Sequence, residues 1–310
     1  MKNKELKNKV LNEIKQSKLQ AEAIANKNLE KAMQNEYFKN VYLKIKSLNF
    51  DIAKKEFFNQ STSEDKKTLA LLKKELEETL SKIDMKKEDL VPNYSCKKCK
   101  DTALIGTDFC ECFYKKINQT IINNLGVNVD KSHTFEKANF DLFDNPENIK
   151  KMYEKLQGWC ENLENSKYKN LLLCGDTGVG KTYLVESICN NLIQKNNIVN
   201  YYTAFALNDL FLKYRSSFYE NRVGILDGVL ECDVLIIDDL GSEPNMKNTE
   251  EYFYLLFNER LSKNKSTIIT TNLSLEQLLA RYGERTFSRL CNKANSLMVK
   301  IQNKDLRLKR

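Results

Sequence analysis

Eight residues constrain this chain more than any others. They are GDTGVGKT, Gly175 to Thr182, set between the apolar run NLLLC (Asn170 to Cys174) and a stretch, Tyr183 to Gln194, with Leu184, Ile188 and Leu192 on one helical face. The order is strand, loop, helix. Gly175, Gly178 and Gly180 free the backbone to wrap tightly, so that successive amides through Asp176, Thr177 and Val179 turn their N–H groups toward the helix N-terminus. A concavity lined by N–H donors at the positive end of a helix holds phosphate oxygens. Lys181 then reaches the β and γ phosphates of ATP, and the Thr182 hydroxyl ligates Mg2+. The bland alternative is a glycine-rich turn that binds nothing, and the flanking strand and helix argue against it.

A second stretch supports the first. Val234 to Ile237 (VLII) is an apolar run ending in Asp238 and Asp239, about 60 residues beyond the loop. Ligands of open α/β sheets sit outside the carboxyl ends of strands, which places these carboxylates beside the phosphates. Asp238 is the candidate for the Mg2+ shell and Asp239 for polarising the attacking water. Alone, such a pair is more often a solvated turn; behind a phosphate loop it reads as a metal edge.

At 310 residues the chain exceeds what one core usually organises, so two or three units are expected. No apolar run approaches the ~20 residues that span a bilayer. The opening MKNKELKNKV lacks the apolar core of a secretory signal, which points to a cytoplasmic location without a membrane partner. The net charge of +8 favours polyanionic partners without identifying one. His133 is the single histidine and no Gly-x-Ser-x-Gly is present, so Ser-His-Asp and Cys-His hydrolases are set aside.

In that compartment the nine cysteines should not pair as disulfides. Cys96, Cys99, Cys110 and Cys112 crowd together as C-x2-C-x10-C-x-C, with Gly106 available to turn a hairpin between the pairs. Four thiolates suit tetrahedral Zn2+ in a structural role, with reduced structural cysteines as the alternative. The other five cysteines read as small core residues.

From Met1 to Val91 there is neither glycine nor proline. Leu6, Val10, Ile14, Ala21 and Ile24 predict an amphipathic helix over the first forty or so residues. A capping box near Ser61 to Glu64 predicts a second helix striped by Leu69, Leu72, Leu76, Leu80 and Ile83. Periodicity alone leaves open whether this stripe packs within the chain or waits for a partner. Ile117 to Leu125 reads as a helix ended by Gly126. In HTFEKANFDLFDN, Phe135, Phe140 and Phe143 either cap a base or anchor a linker, and anchoring is favoured because aromatic rings bury large areas wherever they pack. Ile198 to Thr203 is a further strand. The helix around Asn208 to Tyr219 sets Lys213 and Arg215 beside Tyr214, Phe218 and Tyr219; an ordinary amphipathic helix is favoured over a grip on single-stranded nucleic acid. Thr267 to Thr271 predicts a strand ending at Asn272, and Leu297 to Ile301 a fifth. Between them Arg281, Arg285 and Arg289 cluster, the last two at i, i+4 spacing on one helical face.

Together the phosphate loop, the aspartate-ended strand, the strand ending Thr-Thr-Asn and the GER-x3-SRL box resemble the AAA+ ATPases of the bacterial replicative helicase loader type (DnaC/DnaI). PNYSCKKCKDTALIGTDFCECF resembles the cysteine module ahead of the ATPase in loaders of low-GC bacteria. The likeness covers roughly residues 90–310; residues 1–90 match only in being helical. It implies an α/β AAA+ P-loop core with a five-stranded parallel sheet over 126–310. A zinc module over 91–125 and a helicase-binding all-α region over 1–90 precede it. It implies Asn272 as first sensor and Arg289, with Arg285 as second choice, as an arginine finger reaching a neighbouring subunit's nucleotide. The implied partners are a hexameric replicative DNA helicase, on which the chain oligomerises, and single-stranded DNA; a need for other primosome proteins stays open. Asp239 stands where many AAA+ proteins carry glutamate, a retreat of about 1.5 Å that is expected to slow hydrolysis on the order of a hundredfold. The short stretch after the fifth strand is expected to hold no helical lid, which leaves Arg307 a poor second sensor. Two rivals stand beside this reading: a transposition helper ATPase of the IstB type, which shares the core but does not require the cysteine module, and a scaffold that holds nucleotide without turnover.

Overall fold

The computed structural model describes residues 3–125, 129–218, 222–244 and 249–309. They form two compact units, residues 11–110 and residues 1–10 with 111–310.

The smaller unit is built mainly of helices. α1 (Asn3–Met33), which belongs to this unit from residue 11 onward, and α2 (Glu36–Phe57) replace the single long helix expected over the first forty residues. The break falls at Asn35, whose side chain accepts the Phe38 N–H at 3.0 Å and so caps α2. No periodicity signals such a cap, because one Asn in a polar background looks like any other. Ile24 departs from the expected stripe, being 62% exposed, and Ala25 and Ala32 are buried instead. α3 (Ser63–Lys82) starts where expected, yet its N-cap is Thr62 and makes no side-chain capping bond, so the predicted box does not form. The leucine stripe of α3 is satisfied within the chain: Leu76 and Leu80 are buried with Phe38, Val41 and Ile45 of α2 and with Met85, flanked by Leu69, Leu72 and Ile83. Beyond α3, β1 (Leu104–Ile105) and β2 (Asp108–Phe109) form the antiparallel hairpin, turning through Gly106 at φ +62°.

The larger unit opens with α4 (Glu111–Leu125), which begins six residues ahead of the expected Ile117 and so includes Cys112; its expected stop at Gly126 lies outside the described residues. α5 (Pro146–Glu161) leads to β3 (Asn170–Cys174), α6 (Lys181–Gln194), β4 (Val199–Thr203) and α7 (Ala204–Ser216). After α8 (Asp227–Glu231) come β5 (Val234–Leu240), α9 (Thr249–Ser262), β6 (Ser266–Thr271), α10 (Leu275–Cys291) and β7 (Ser296–Lys300). The strands lie in the order β4-β5-β6-β3-β7, all parallel, which is the five-stranded P-loop sheet expected. A parallel sheet is covered on both faces, and β3 and β6 accordingly carry continuous buried runs. Phe135 and Phe143 are buried in the same core as β3 and α6, so they anchor the segment ahead of α5. On α7 the buried face is Ala204, Leu207, Asn208 and Phe211, the ordinary amphipathic pattern; Tyr219 lies outside the described residues.

Two polar devices finish the sheet at the end away from the phosphate loop. Asn118 of α4 bonds edge strand β4, accepting the Val199 N–H at 2.8 Å and donating to the Asn197 carbonyl at 2.7 Å. Arg260 of α9 is fully buried, and donates to the carbonyls of Val229 (2.7 Å), Cys232 (3.2 Å) and Ser266 and to the Thr267 hydroxyl (3.0 Å). It therefore ties α8, the turn leading into β5, and β6 together through buried acceptors. Arg260→Met keeps much of the volume and orphans those acceptors at about 1–3 kcal/mol each. The expected loss is at least ~3 kcal/mol of unfolding free energy, read from the denaturant midpoint; a change within ~0.5 kcal/mol would show the carbonyls finding other partners.

Candidate functional site

The phosphate loop, the two aspartates and Asn272 lie at one edge of the sheet. Cys174, the last residue of β3, pairs with Thr271 at the end of β6, and Leu240 at the end of β5 pairs with the same Thr271. The loop after β3 is therefore two strands away from the carboxylates on β5.

The loop has the backbone its glycines promised. Gly178 and Gly180 sit at φ +83° and +95°, a region side-chain-bearing residues avoid. Gly180 is the N-cap of α6, which starts at Lys181, two residues before the expected Tyr183. Asp176, Thr177 and Thr182 are exposed and Val179 is buried under the loop. Lys181 folds back over the loop and donates to the carbonyls of Gly175 (2.7 Å) and Asp176 (2.8 Å). Burial draws its ammonium below the usual lysine range, while the carboxylates of Asp239, Asp238 and Asp176 pull the other way. The lysine thus stands at the sheet edge that also holds both candidate metal-edge carboxylates. A helix N-terminus, a glycine-wrapped loop and a lysine opposed by two aspartates fit a magnesium-bound triphosphate.

The carboxylates sit in an irregular strand end. The β5–β6 register shifts between Ile237 and Leu240, and Asp239 takes a left-handed φ of +59°. Such a bulge turns consecutive side chains to new directions. Asp238 is half-buried and Asp239 exposed. Thr270 of β6 holds the pair: its hydroxyl donates to Asp238 Oδ1 and accepts the Asp239 N–H at 2.7 Å. Tyr201 of β4 donates to Asp238 Oδ2 at 2.9 Å, and burial, with Asp238 beside it, pushes its phenol far above the usual range, so it remains a donor. Sequence reading missed Thr270 and Tyr201. Their signal is faint: polar atoms inside otherwise apolar strands flanking the aspartate-ended one.

Asn272 follows β6 directly and is exposed, between the ends of the loop strand and the carboxylate strand. The arginines separate. Arg281 is bound to the buried Glu243, which also accepts from the Tyr282 hydroxyl and from the Gly241 N–H at 2.9 Å. Gly283, at φ +72° and ψ +166°, interrupts α10, with the Glu250 carboxylate against it. Beyond that break Arg285 is exposed. Arg289 is half-buried, donating to Asn258 Oδ1 at 3.0 Å over the Tyr254 ring, and its carbonyl accepts from the Asn170 side chain at 3.0 Å. Asn170 begins β3, so Arg289 lies toward the sheet end opposite its own phosphate loop. The single histidine is structural: His133 Nδ1 bonds Glu186 of α6 at 2.5 Å.

The four clustered cysteines converge. The sulfurs of Cys96, Cys99, Cys110 and Cys112 lie within 4.8 Å of one another, and those of Cys96 and Cys110 are 3.8 Å apart. Zn–S bonds of about 2.3 Å in a tetrahedron place sulfurs about 3.8 Å apart, so the donor set fits the ion. Locally, the buried Asp101 carboxylate accepts the N–H groups of Ser95 (2.9 Å) and Cys96 (2.7 Å), folding the first pair into a tight knuckle.

Among known proteins, the chain is 33% identical over 129 residues to the chromosomal replication initiator protein DnaA of Aliarcobacter butzleri, a stretch that is 41% of this chain and 28% of that protein. It is 27% identical over 181 residues, 55% of this chain and 56% of the other, to the uncharacterized protein YqaM of Bacillus subtilis. The chain thus spans less than two thirds of either relative. Among solved structures, the DnaC helicase loader matches at 25% identity and TM-score 0.45 over 55% of this chain and 97% of that one. AMPPCP-bound DnaA from Aquifex aeolicus matches at 20% identity and TM-score 0.47 over 58% and 53%. The sequence family described as IstB-like ATP binding protein matches residues 124–310, which hold the phosphate loop, the aspartate strand and the arginine box; by that match over more than half its length, the chain belongs to this family.

Proposed function

We propose that this chain is a cytoplasmic ATPase that loads a hexameric replicative DNA helicase onto single-stranded DNA. Lys181 takes the β and γ phosphates, Thr182 and Asp238 hold Mg2+, Asp239 polarises water and Asn272 orients it. Bound Mg2+ supplies charge neutralisation for the transferred phosphoryl group. Thr270 and Tyr201 are positioning residues that fix the Asp238 carboxylate. The observation carrying the nucleotide half of the reading is the strand register, in which Thr271 stands opposite both Cys174 and Leu240 and so sets the phosphate loop and the aspartate-ended strand at one edge of the sheet.

The family that the chain belongs to bears the name of the transposition helpers, so the core alone does not choose between helicase and transposase. The cysteine module favours the loader reading. Its four sulfurs gather ahead of the ATPase core, as that reading expects and the transposition reading does not require. For the finger acting in trans, exposure supports Arg285 over Arg289: Arg289 is engaged by Asn258 and Tyr254, while Arg285 is exposed.

Three outcomes are expected. Lys181→Ala should abolish ATP binding in an equilibrium titration, whereas Arg285→Ala should bind normally and lose hydrolysis by roughly tenfold or more only in the assembled state; equal loss in the isolated chain would rule out action in trans. Elemental analysis of the purified chain should return one zinc per molecule, and Cys99→Ser should lower both metal content and melting temperature; a metal-free wild type with the same melting temperature would leave the cysteines purely structural. In native mass spectra of the full chain mixed with its cognate helicase, ATP should change the population of the complex. Binding only to a transposase and duplex DNA would establish the rival.

A further inference from the structure

The segment after β7 does not run off into solvent. The Ile301 N–H donates to the Cys174 carbonyl at 2.8 Å, carrying the β7 pairing to the edge of the phosphate loop, and the Leu306 N–H donates to the Gly178 carbonyl at 3.0 Å. Each loop glycine is covered from this side. A Cβ on Gly175 would lie 2.6 Å from the Ile301 carbonyl oxygen, and one on Gly178 would collide with the Asp305 carboxylate at 2.0 Å. At Gly180 the nearest atoms are those of Leu306 (3.3 Å) and Phe143 (3.5 Å). Asn303 and Lys304 fasten the segment to the chain ahead of α5. Asn303 Oδ1 accepts the Asp144 N–H at 2.8 Å, and Asp144 Oδ2 accepts the Lys304 N–H at 3.4 Å. Asp305 is oriented by accepting the Arg307 N–H at 2.9 Å.

This places the only acidic side chain of residues 301–309 against the middle glycine of a loop built to attract anions. A carboxylate and a polyphosphate beside the same few amides repel each other, and the repulsion grows with the number of phosphates. We propose that residues 301–309 are a strap latched across the phosphate loop, that Asp305 opposes polyphosphate binding, and that nucleotide entry releases the strap. The proposal rests on the nucleotide reading above and adds its regulation: the strap works as a threshold on occupancy.

The test uses the full chain. Asp305→Asn should bind fluorescent ATP roughly three- to tenfold more tightly than wild type, with a smaller gain for AMP, and the gain should shrink as salt is raised. In wild type, saturating ATP should accelerate trypsin cleavage after Lys304 and Arg307, read by mass spectrometry, while Lys181→Ala should show no acceleration. Unchanged or weaker ATP binding by Asp305→Asn, a gain independent of phosphate number, or protection of Lys304 and Arg307 by ATP would each overturn the strap. The trypsin measurement decides the matter if the variant fails to fold. A wild type that binds no nucleotide sinks the nucleotide reading and the strap together; one that binds, with Asp305→Asn indistinguishable from it, sinks the strap alone.

Discussion

The pairing of β6 with two neighbours at once, in register with β3 and through a bulge with β5, is the constraint from which the site follows. Because Thr271 stands opposite both Cys174 and Leu240, the phosphate loop and the aspartates leave the sheet at the same level. Thr270, one residue earlier, then serves the bulge on β5 with both functions of its hydroxyl, donor to Asp238 and acceptor from Asp239. A slip of one residue in β6 would turn Thr270 to the other face and leave Asp238 without that donor.

The two ends of the sheet divide the labour. At the end where β3 begins, polar groups are consumed: Arg260 fills buried carbonyls, Asn118 closes the edge strand, and Asn170 holds the main chain of Arg289. At the end where β3 stops, polar groups are displayed. Asp239, Asn272 and Thr182 are exposed around a helix N-terminus. Satisfied polar groups give stability, and displayed ones give a site whose free energy is realised only with a ligand. The placement of Arg289 belongs with this division. An arginine anchored toward the closed end lies away from its own phosphate loop.

The strap across the loop changes how the glycines are read. Their freedom of φ serves the phosphate cradle at Gly178 and Gly180. Their lack of a side chain also admits the Ile301 carbonyl and the Asp305 carboxylate on the outer side. One set of residues thus meets a ligand on one face and the chain's own C-terminal segment on the other.

Several features were determined by residues close together along the chain. Loop, strand and helix around Gly175 to Thr182, the aspartate-ended strand and the Gly106 hairpin form as read, because each depends on local dihedral preference. Features that depend on distant partners had no such signal. The break at Asn35, the exposure of Ile24, the burial of the α3 stripe against α2, the kink at Gly283 and the engagement of Arg289 all turn on which surface arrives opposite. So does the contact between Asp305 and Gly178: nothing near either residue in the sequence announces the other, and only the path of β7 beside β3 brings them together. Periodicity says that a face is apolar or charged; packing alone decides what covers it.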